Sequence, residues 1–152
     1  MDNVPASVRS AIMARVRSRG NRSTEQAVAR AFRALGVRSW RRHVAIRFSS
    51  TGDEVRPDFV FRDSRLAVFI DGCLWHRCRL HARIPSTNRT YWSAKLRRNV
   101  RRDRIVDQSL ARAGWRVIRI WEHSVKRDPL RCGRRVLRNL SMELKSCRRP
   151  PD

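Results

Sequence analysis

A chain of 152 residues with 36 Lys and Arg against 13 Asp and Glu carries a formal charge of +23, and it is long enough to bury one sizeable core. Such an excess of one sign opposes compaction unless a polyanion neutralises it, which points to nucleic acid as the partner. No apolar stretch approaches the roughly 18 residues that span a bilayer, which disfavours a membrane protein. Met1 to Arg9 lack the apolar run of a signal peptide, so a reducing cytosol is expected, where the four cysteines argue for metal rather than disulfides.

Taken in chain order, Ser23 or Thr24 is placed to cap a helix with Glu25 in its first turn. Ala27, Val28, Ala31, Phe32 and Leu35 form its apolar stripe, and Gly36 ends it. Val44 to Phe48 reads as a strand, followed by a polar turn. Val55 to Phe61 and Leu66 to Ile70 read as two apolar strands joined across Asp63-Ser64 in an antiparallel hairpin. After a polar connection around Pro85 to Asn88, the spacing of Trp92, Leu96, Val100, Val106, Leu110 and Ala113 predicts a long helix over Tyr91 to Ala113, stopped by Gly114. Val117 to Trp121 is a further strand and Arg134 to Leu144 a final helix. One α/β domain is expected over 1–152, its core about 13–145.

The densest chemistry follows the strand that ends at Ile70. Cys73 and Cys78 are separated by four residues, and His81 follows after two more, a spacing that presents three ligands to one Zn2+. A fourth ligand must come from elsewhere. His123, after the strand Val117 to Trp121, is the leading candidate; Cys132 and His76 are the alternatives. Four protein ligands leave no open position, so the zinc is expected to be structural.

Asp58 interrupts an apolar strand and Asp71 ends its neighbour, so an antiparallel hairpin brings the two carboxylates toward one end of the sheet. Like charges held together require a cation or a proton, and Mg2+ would serve while binding a phosphate oxygen. If His76 is not a zinc ligand, it is left near Asp71 as an imidazole able to take a proton from water. Glu25 is a third carboxylate candidate beside its helix-dipole role. Leu74 and Trp75 fit either a core or a wedge that unstacks bases. Lys95, Arg97, Arg98, Arg101, Arg102 and Arg104 share one helix, so only some of them can track phosphates.

The stretch Pro57-Asp58-Phe59-Val60, then Ala67 through Asp71-Gly72-Cys73-Leu74-Trp75-His76, then Asn88 to Trp92, Asn99, Arg102-Asp103, Gly114 to Val117 and Trp121-Glu122-His123, resembles the very short patch repair endonuclease family. The order and spacing hold over about residues 13 to 125. The resemblance implies a restriction-endonuclease-like α/β core with a mixed central sheet flanked by helices, a structural zinc, and Mg2+-dependent nicking of double-stranded DNA beside a thymine-guanine mismatch, leaving a 3'-hydroxyl and a 5'-phosphate. It implies Asp58 as the principal metal-binding aspartate, His76 beside the attacked phosphate, and Glu25 as the N-terminal acidic residue of the centre. Cys73, Cys78, His81 and His123 would be the zinc ligands. Asp58, Asp71 and the Ile70 carbonyl are then expected to hold Mg2+, and Met13, Leu74, Trp75, Lys95, Arg98 and Arg102 to meet DNA. A monomer at the cytoplasmic nucleoid is expected, with repair or defence proteins as candidate partners. Two departures stand out: Asp71 occupies the place of the family's second catalytic histidine, and Leu74 that of a phenylalanine inserted into the duplex. The rival classes are a defence nuclease cutting matched or modified DNA and a non-catalytic zinc-stabilised DNA-binding protein; the latter gives no reason for Asp58 and Asp71.

Overall fold

The computed structural model describes residues 22–48, 52–81, 84, 86 and 88–146, the side chains of 142–146 excepted. Residues 22–34 form α1, with Val28, Ala29, Ala31 and Phe32 buried at the spacing that turns one stripe of a helix to the core. Ser23 and Thr24 lie within α1 rather than ahead of it, so the expected cap is not theirs. The other end is as expected: Gly36 has φ +67°, and the Gly36 and Val37 amides donate to the carbonyls of Arg33 and Phe32 at 3.1 and 2.8 Å, the glycine-dependent closure of a helix C-terminus.

The strands are β1 (Trp40–Arg42), β2 (Ile46–Arg47), β3 (Glu54–Val55), β4 (Phe59–Phe61), β5 (Leu66–Asp71) and β6 (Arg116–Trp121). Four of them form a sheet in the order β1-β4-β5-β6, and β2 pairs with β3 separately. β4 is antiparallel to β1 and β5, whereas β6 runs parallel to β5. The expected strand Val55 to Phe61 is two pieces, split where Pro57 has no N–H for a ladder. The expected strand Val44 to Phe48 shrinks to β2, and β1 is an addition.

The sheet is covered on both faces, which is why β5 reads as an unbroken apolar run. Phe59, Phe61, Leu66, Val68, Ile70, Ile118 and Ile120 pack on one side with α1 residues and with Val125, Cys132 and Val136. Val60, Ala67, Phe69 and Val117 face the other side, against Leu110 and Val106 and the β2–β3 residues Ile46 and Val55. Leu110 and Val106 belong to α2 (Arg89–Arg112), which connects β5 to its parallel neighbour β6. Two further helices follow β6: α3 (Glu122–Arg127), not expected from the sequence, and α4 (Pro129–Ser146). α4 begins earlier than the expected Arg134 because Pro129 suits a first helical position and Asp128 Oδ1 accepts the Arg131 amide at 2.8 Å. A Cβ at Gly133 would meet Leu35 Cδ1 at 2.7 Å, so this glycine permits the close approach of α4 to α1.

Candidate functional site

β5 and β6 are parallel and in register, Asp71 opposite Trp121, so both chains leave the sheet side by side. From the β5 end the backbone turns back on itself: the His76 amide donates to the Gly72 carbonyl at 3.2 Å and the Cys78 amide to the Cys73 carbonyl at 2.9 Å. From the β6 end α3 carries His123 at its start. Cys73 Sγ consequently lies 3.2 Å from His123 Nδ1, and Cys78 Sγ lies 3.6 Å from His123 Nδ1 and 3.7 Å from His81 Nδ1. One donor atom from each of Cys73, Cys78, His81 and His123 falls within 4.8 Å of all the others. Zn–S near 2.3 Å and Zn–N near 2.0–2.1 Å give tetrahedral S···N edges of about 3.5 Å, so the donor set fits a closed, structural, zinc-like metal site. Cys132 instead belongs to the apolar core with α1 residues.

A second cluster forms beside the sheet. Asp58 immediately precedes β4, and its Oδ2 accepts the Ile70 amide across the hairpin at 2.6 Å. Glu25 reaches in from α1, buried to 6% exposure, where it pairs with Arg42 and lies 3.0 Å from His43 Nε2. His43 follows β1 with φ 54°, a left-handed backbone uncommon for a residue with a Cβ and one that is over-represented at functional sites. Donor atoms of Glu25, His43 and Asp58 all lie within 4.8 Å of one another. Burial pushes the Asp58 carboxyl up to about 6, with Glu25 and Asp71 adding to the rise and the Ile70 N–H and His43 opposing it. Two carboxylates and an imidazole so disposed suit a divalent cation.

Asp58 and Asp71 line one cleft of about 480 Å3, together with His76, Asp103 and Arg119. Asp71 stands outside the Glu25–His43–Asp58 group; it faces Arg119, whose Nη1 is 2.8 Å from Asp71 Oδ1. Arg119 also holds Asp107 through Nε at 3.1 Å and Nη2 at 3.0 Å, and approaches Asp103 at 3.7 Å. His76 is apart from the thiols: its Nδ1 is 2.5 Å from Asp103 Oδ2 and 3.8 Å from Asp71 Oδ1. Burial raises the Asp71 carboxyl. Burial acts the same way on Asp103, but the hydrogen bond and charge of His76, with Arg119 beside them, outweigh it and leave that carboxyl below its usual value.

On the rim, Leu74 and Trp75 are half-buried. Trp75 packs 5.9 Å from Trp92, and Lys95 Nζ lies 5.4–5.6 Å from the rings of Trp75, Tyr91 and Trp92. Asn99 donates to the Trp75 carbonyl at 3.3 Å. Arg102 lines the cleft, Arg98 is exposed, and Met13 lies outside the described residues. The site residues missed by the sequence reading are His43, Arg119 and Asp107, together with a role for Asp103. Two signals were available: His43 is the one histidine of four left outside the Cys73 to His123 pattern, and Asp103 is an acid embedded among arginines.

The family model described as DNA mismatch endonuclease Vsr matches residues 1–81. The chain is 51% identical over 110 residues to the Type II nicking enzyme V.NaeI of Lentzea aerocolonigenes, covering 72% of this chain and 65% of that enzyme, just under two thirds of its length. It is 35% identical over 138 residues to the Type II nicking enzyme V.NmeDIP of Neisseria meningitidis serogroup C, covering 90% and 88%. To the DNA mismatch endonuclease Vsr of Escherichia coli strain K12 it is 40% identical over 73 residues, covering 47% and 46%. Among the described residues, no helix is long and apolar enough to cross a membrane.

Proposed function

The chain belongs to the Vsr DNA mismatch endonuclease family, a membership that supports a nuclease acting on DNA, and from that premise we propose that it nicks one strand beside a thymine-guanine mismatch with the help of Mg2+. The observation that carries the reading is one cleft holding Asp58, beside Glu25 and His43, together with a histidine fixed by Asp103. Asp58, the Ile70 carbonyl and a second carboxylate, Asp71 or Glu25, would hold the cation. When bound, the cation supplies charge neutralisation at the scissile phosphate.

The chain's own groups do the rest. His76 Nδ1–H donates to Asp103, which fixes the tautomer and leaves Nε2 with the lone pair that takes a proton from the attacking water. Asp103, kept ionised by that bond, stabilises the imidazolium that results. Arg102 on the cleft wall, with Lys95 and Arg98, holds backbone phosphates, and Trp75 with Leu74 enters the weakened base step. Cys73, Cys78, His81 and His123 would hold zinc and thereby fix the loop that carries Trp75 and His76. The protein acts as a single-domain monomer at the cytoplasmic nucleoid.

The test is a nicking assay on mismatch-bearing and supercoiled duplexes with and without Mg2+. Asp58→Ala should abolish cleavage and leave DNA affinity within about tenfold, because basic side chains hold the backbone; undiminished nicking by that variant removes the assignment. A second reading, cleavage of matched or modified DNA in defence, is favoured by one observation: Asp71 is engaged by Arg119 where the family resemblance calls for a histidine.

A further inference from the structure

Away from the cleft, α2 presents a second charged surface. Arg97, Arg101, Arg104 and Gln108 follow one another at spacings of four, three and four residues, which stacks them on one stripe of the helix. The cleft residues Arg102, Asp103 and Val106 occupy the opposite side, since successive residues turn by about 100°. Arg77 comes over the stripe from the loop between Cys73 and Cys78, held at φ 53° with its amide donating to the Leu74 carbonyl at 3.3 Å. Together these side chains enclose a hollow of about 410 Å3 whose wall also includes Ile105 and contains no carboxylate. All four arginines are exposed. None has an acidic partner among the described residues, whereas two of the three cleft arginines, Arg56 and Arg119, are paired with Glu54 and with Asp71 and Asp107.

Four guanidinium groups converging without a counter-charge repel one another, and an anion relieves that repulsion. Their planar forks suit phosphate oxygens, and a stripe three turns long suits a run of phosphates better than one small ion. We propose that the hollow between the Cys73–Cys78 loop and α2 is a second backbone-binding site, which grips a phosphate tract of duplex DNA outside the stretch held in the cleft. The proposal rests on duplex DNA being the partner and is independent of whether the cleft cuts it.

The test compares two Mg2+-free duplexes over a range of salt, one just long enough to fill the cleft and one several helical turns longer. The triple variant Arg97→Gln, Arg101→Gln, Arg104→Gln should reduce the slope of log affinity against log salt by about 2 to 3 on the long duplex, in keeping with roughly 0.9 per neutralised phosphate, and leave the short duplex unchanged. The corresponding Lys triple should keep the slope, and unchanged thermal melting of both triples excludes misfolding. A control with the same loss of charge, Arg30→Gln, Arg62→Gln, Arg112→Gln, should have little effect. An unaltered slope in the hollow variant, or an equal fall in the control, overturns the proposal. So does loss of inorganic phosphate binding with no loss on the long duplex, which makes the hollow a free-anion site. A lowered slope in a protein that nicks no DNA retains the hollow and removes the nuclease reading instead.

Discussion

Arg119 Nη1 is 2.8 Å from Asp71 Oδ1, a contact made across the parallel β5–β6 ladder between residues that both point to the α2 side of the sheet. The guanidinium is shared with Asp107 and Asp103, so one cation from the last strand gathers carboxylates from β5 and α2 around His76. Removing it leaves like charges facing each other in a half-buried cleft. Arg119→Met should therefore destabilise the fold by about 2–4 kcal/mol, toward the range for one lost partner of a buried pair. Asp107→Asn, at the exposed rim, should cost about 1 kcal/mol or less. Denaturant titration of the two variants decides this; equal losses would mean that Arg119 is an ordinary surface pair.

Asp58 gives a pH dependence with a definite sign. Its folded value of about 6 lies above the usual 3.8, so the native state holds a proton that the unfolded chain releases. The resulting stabilisation is complete below pH 3.8 and is lost as pH rises through 6; at neutral pH the half-buried carboxylate is a liability of at most about 3 kcal/mol. Asp58→Asn keeps an oxygen for the Ile70 amide and removes that charge. It should stabilise the metal-free protein at pH 7.5, give no gain at pH 4, and eliminate nicking. Denaturation midpoints at the two pH values check it, and a variant less stable than the parent at both would contradict the burial argument.

Much of the architecture is legible in the sequence because burial on one or both faces writes a period into it. α1 and the long α2 carry such a period at helical spacing, whereas β5, covered on both faces, is marked instead by an unbroken apolar run. β1 has three residues and β2 two, too few to repeat anything, and α3 is a single short segment without a stripe. The Cys73–Cys78–His81 grouping was visible because its ligands are near neighbours in the chain, and His123 because it follows a strand. The Glu25–His43–Asp58 group joins three separate elements with no local spacing to reveal it. Asp71 lines one cleft with Asp58, as strand pairing leads one to expect; its bond to Arg119 depends on the parallel register of β5 and β6, which no short-range pattern states.

The thiol-imidazole cluster makes a prediction about folding. Zinc would tie the loop after β5 to the start of α3, so metal analysis should find about one zinc per chain, and Cys78→Ser should lower zinc content and folded yield together. Strong chelation should lower the melting temperature of the parent protein. A zinc-free parent protein with full stability would remove this site from the account.

His76 and Asp103 should act as a unit. Asp103→Asn keeps the size of the side chain but loses the carboxylate that holds Nδ1–H, and a drop of about 10²–10⁴ in the rate of nicking is expected, as for loss of a positioned general base. His76→Ala should fall to a similar level, and the double variant little further. Single-turnover rates at saturating enzyme test this. Additive losses in the double variant would separate the two residues.

On the proposed reading, substrate choice turns on Trp75. It stands half-buried against Trp92 with Lys95 beside both rings, an amphipathic cluster on the loop that also carries His76. A mismatched step costs less to unstack than a paired one, so a wedge from this cluster would select thymine-guanine pairs through the weakness of the helix itself. Leu74 lacks the ring that the family resemblance leads one to expect beside it, and more of the selectivity then falls on Trp75. Trp75→Ala should therefore reduce nicking of mismatched duplex by roughly 10-fold or more, in line with about 1–3 kcal/mol per base–aromatic stack, while thermal melting shifts by only a few degrees. A large fall in melting temperature with parallel losses on every substrate would assign Trp75 to the core. Equal initial rates of the parent protein on matched and mismatched duplexes in varied flanking sequences would reject the repair reading and favour the defence one, with Asp58 and His76 keeping their roles.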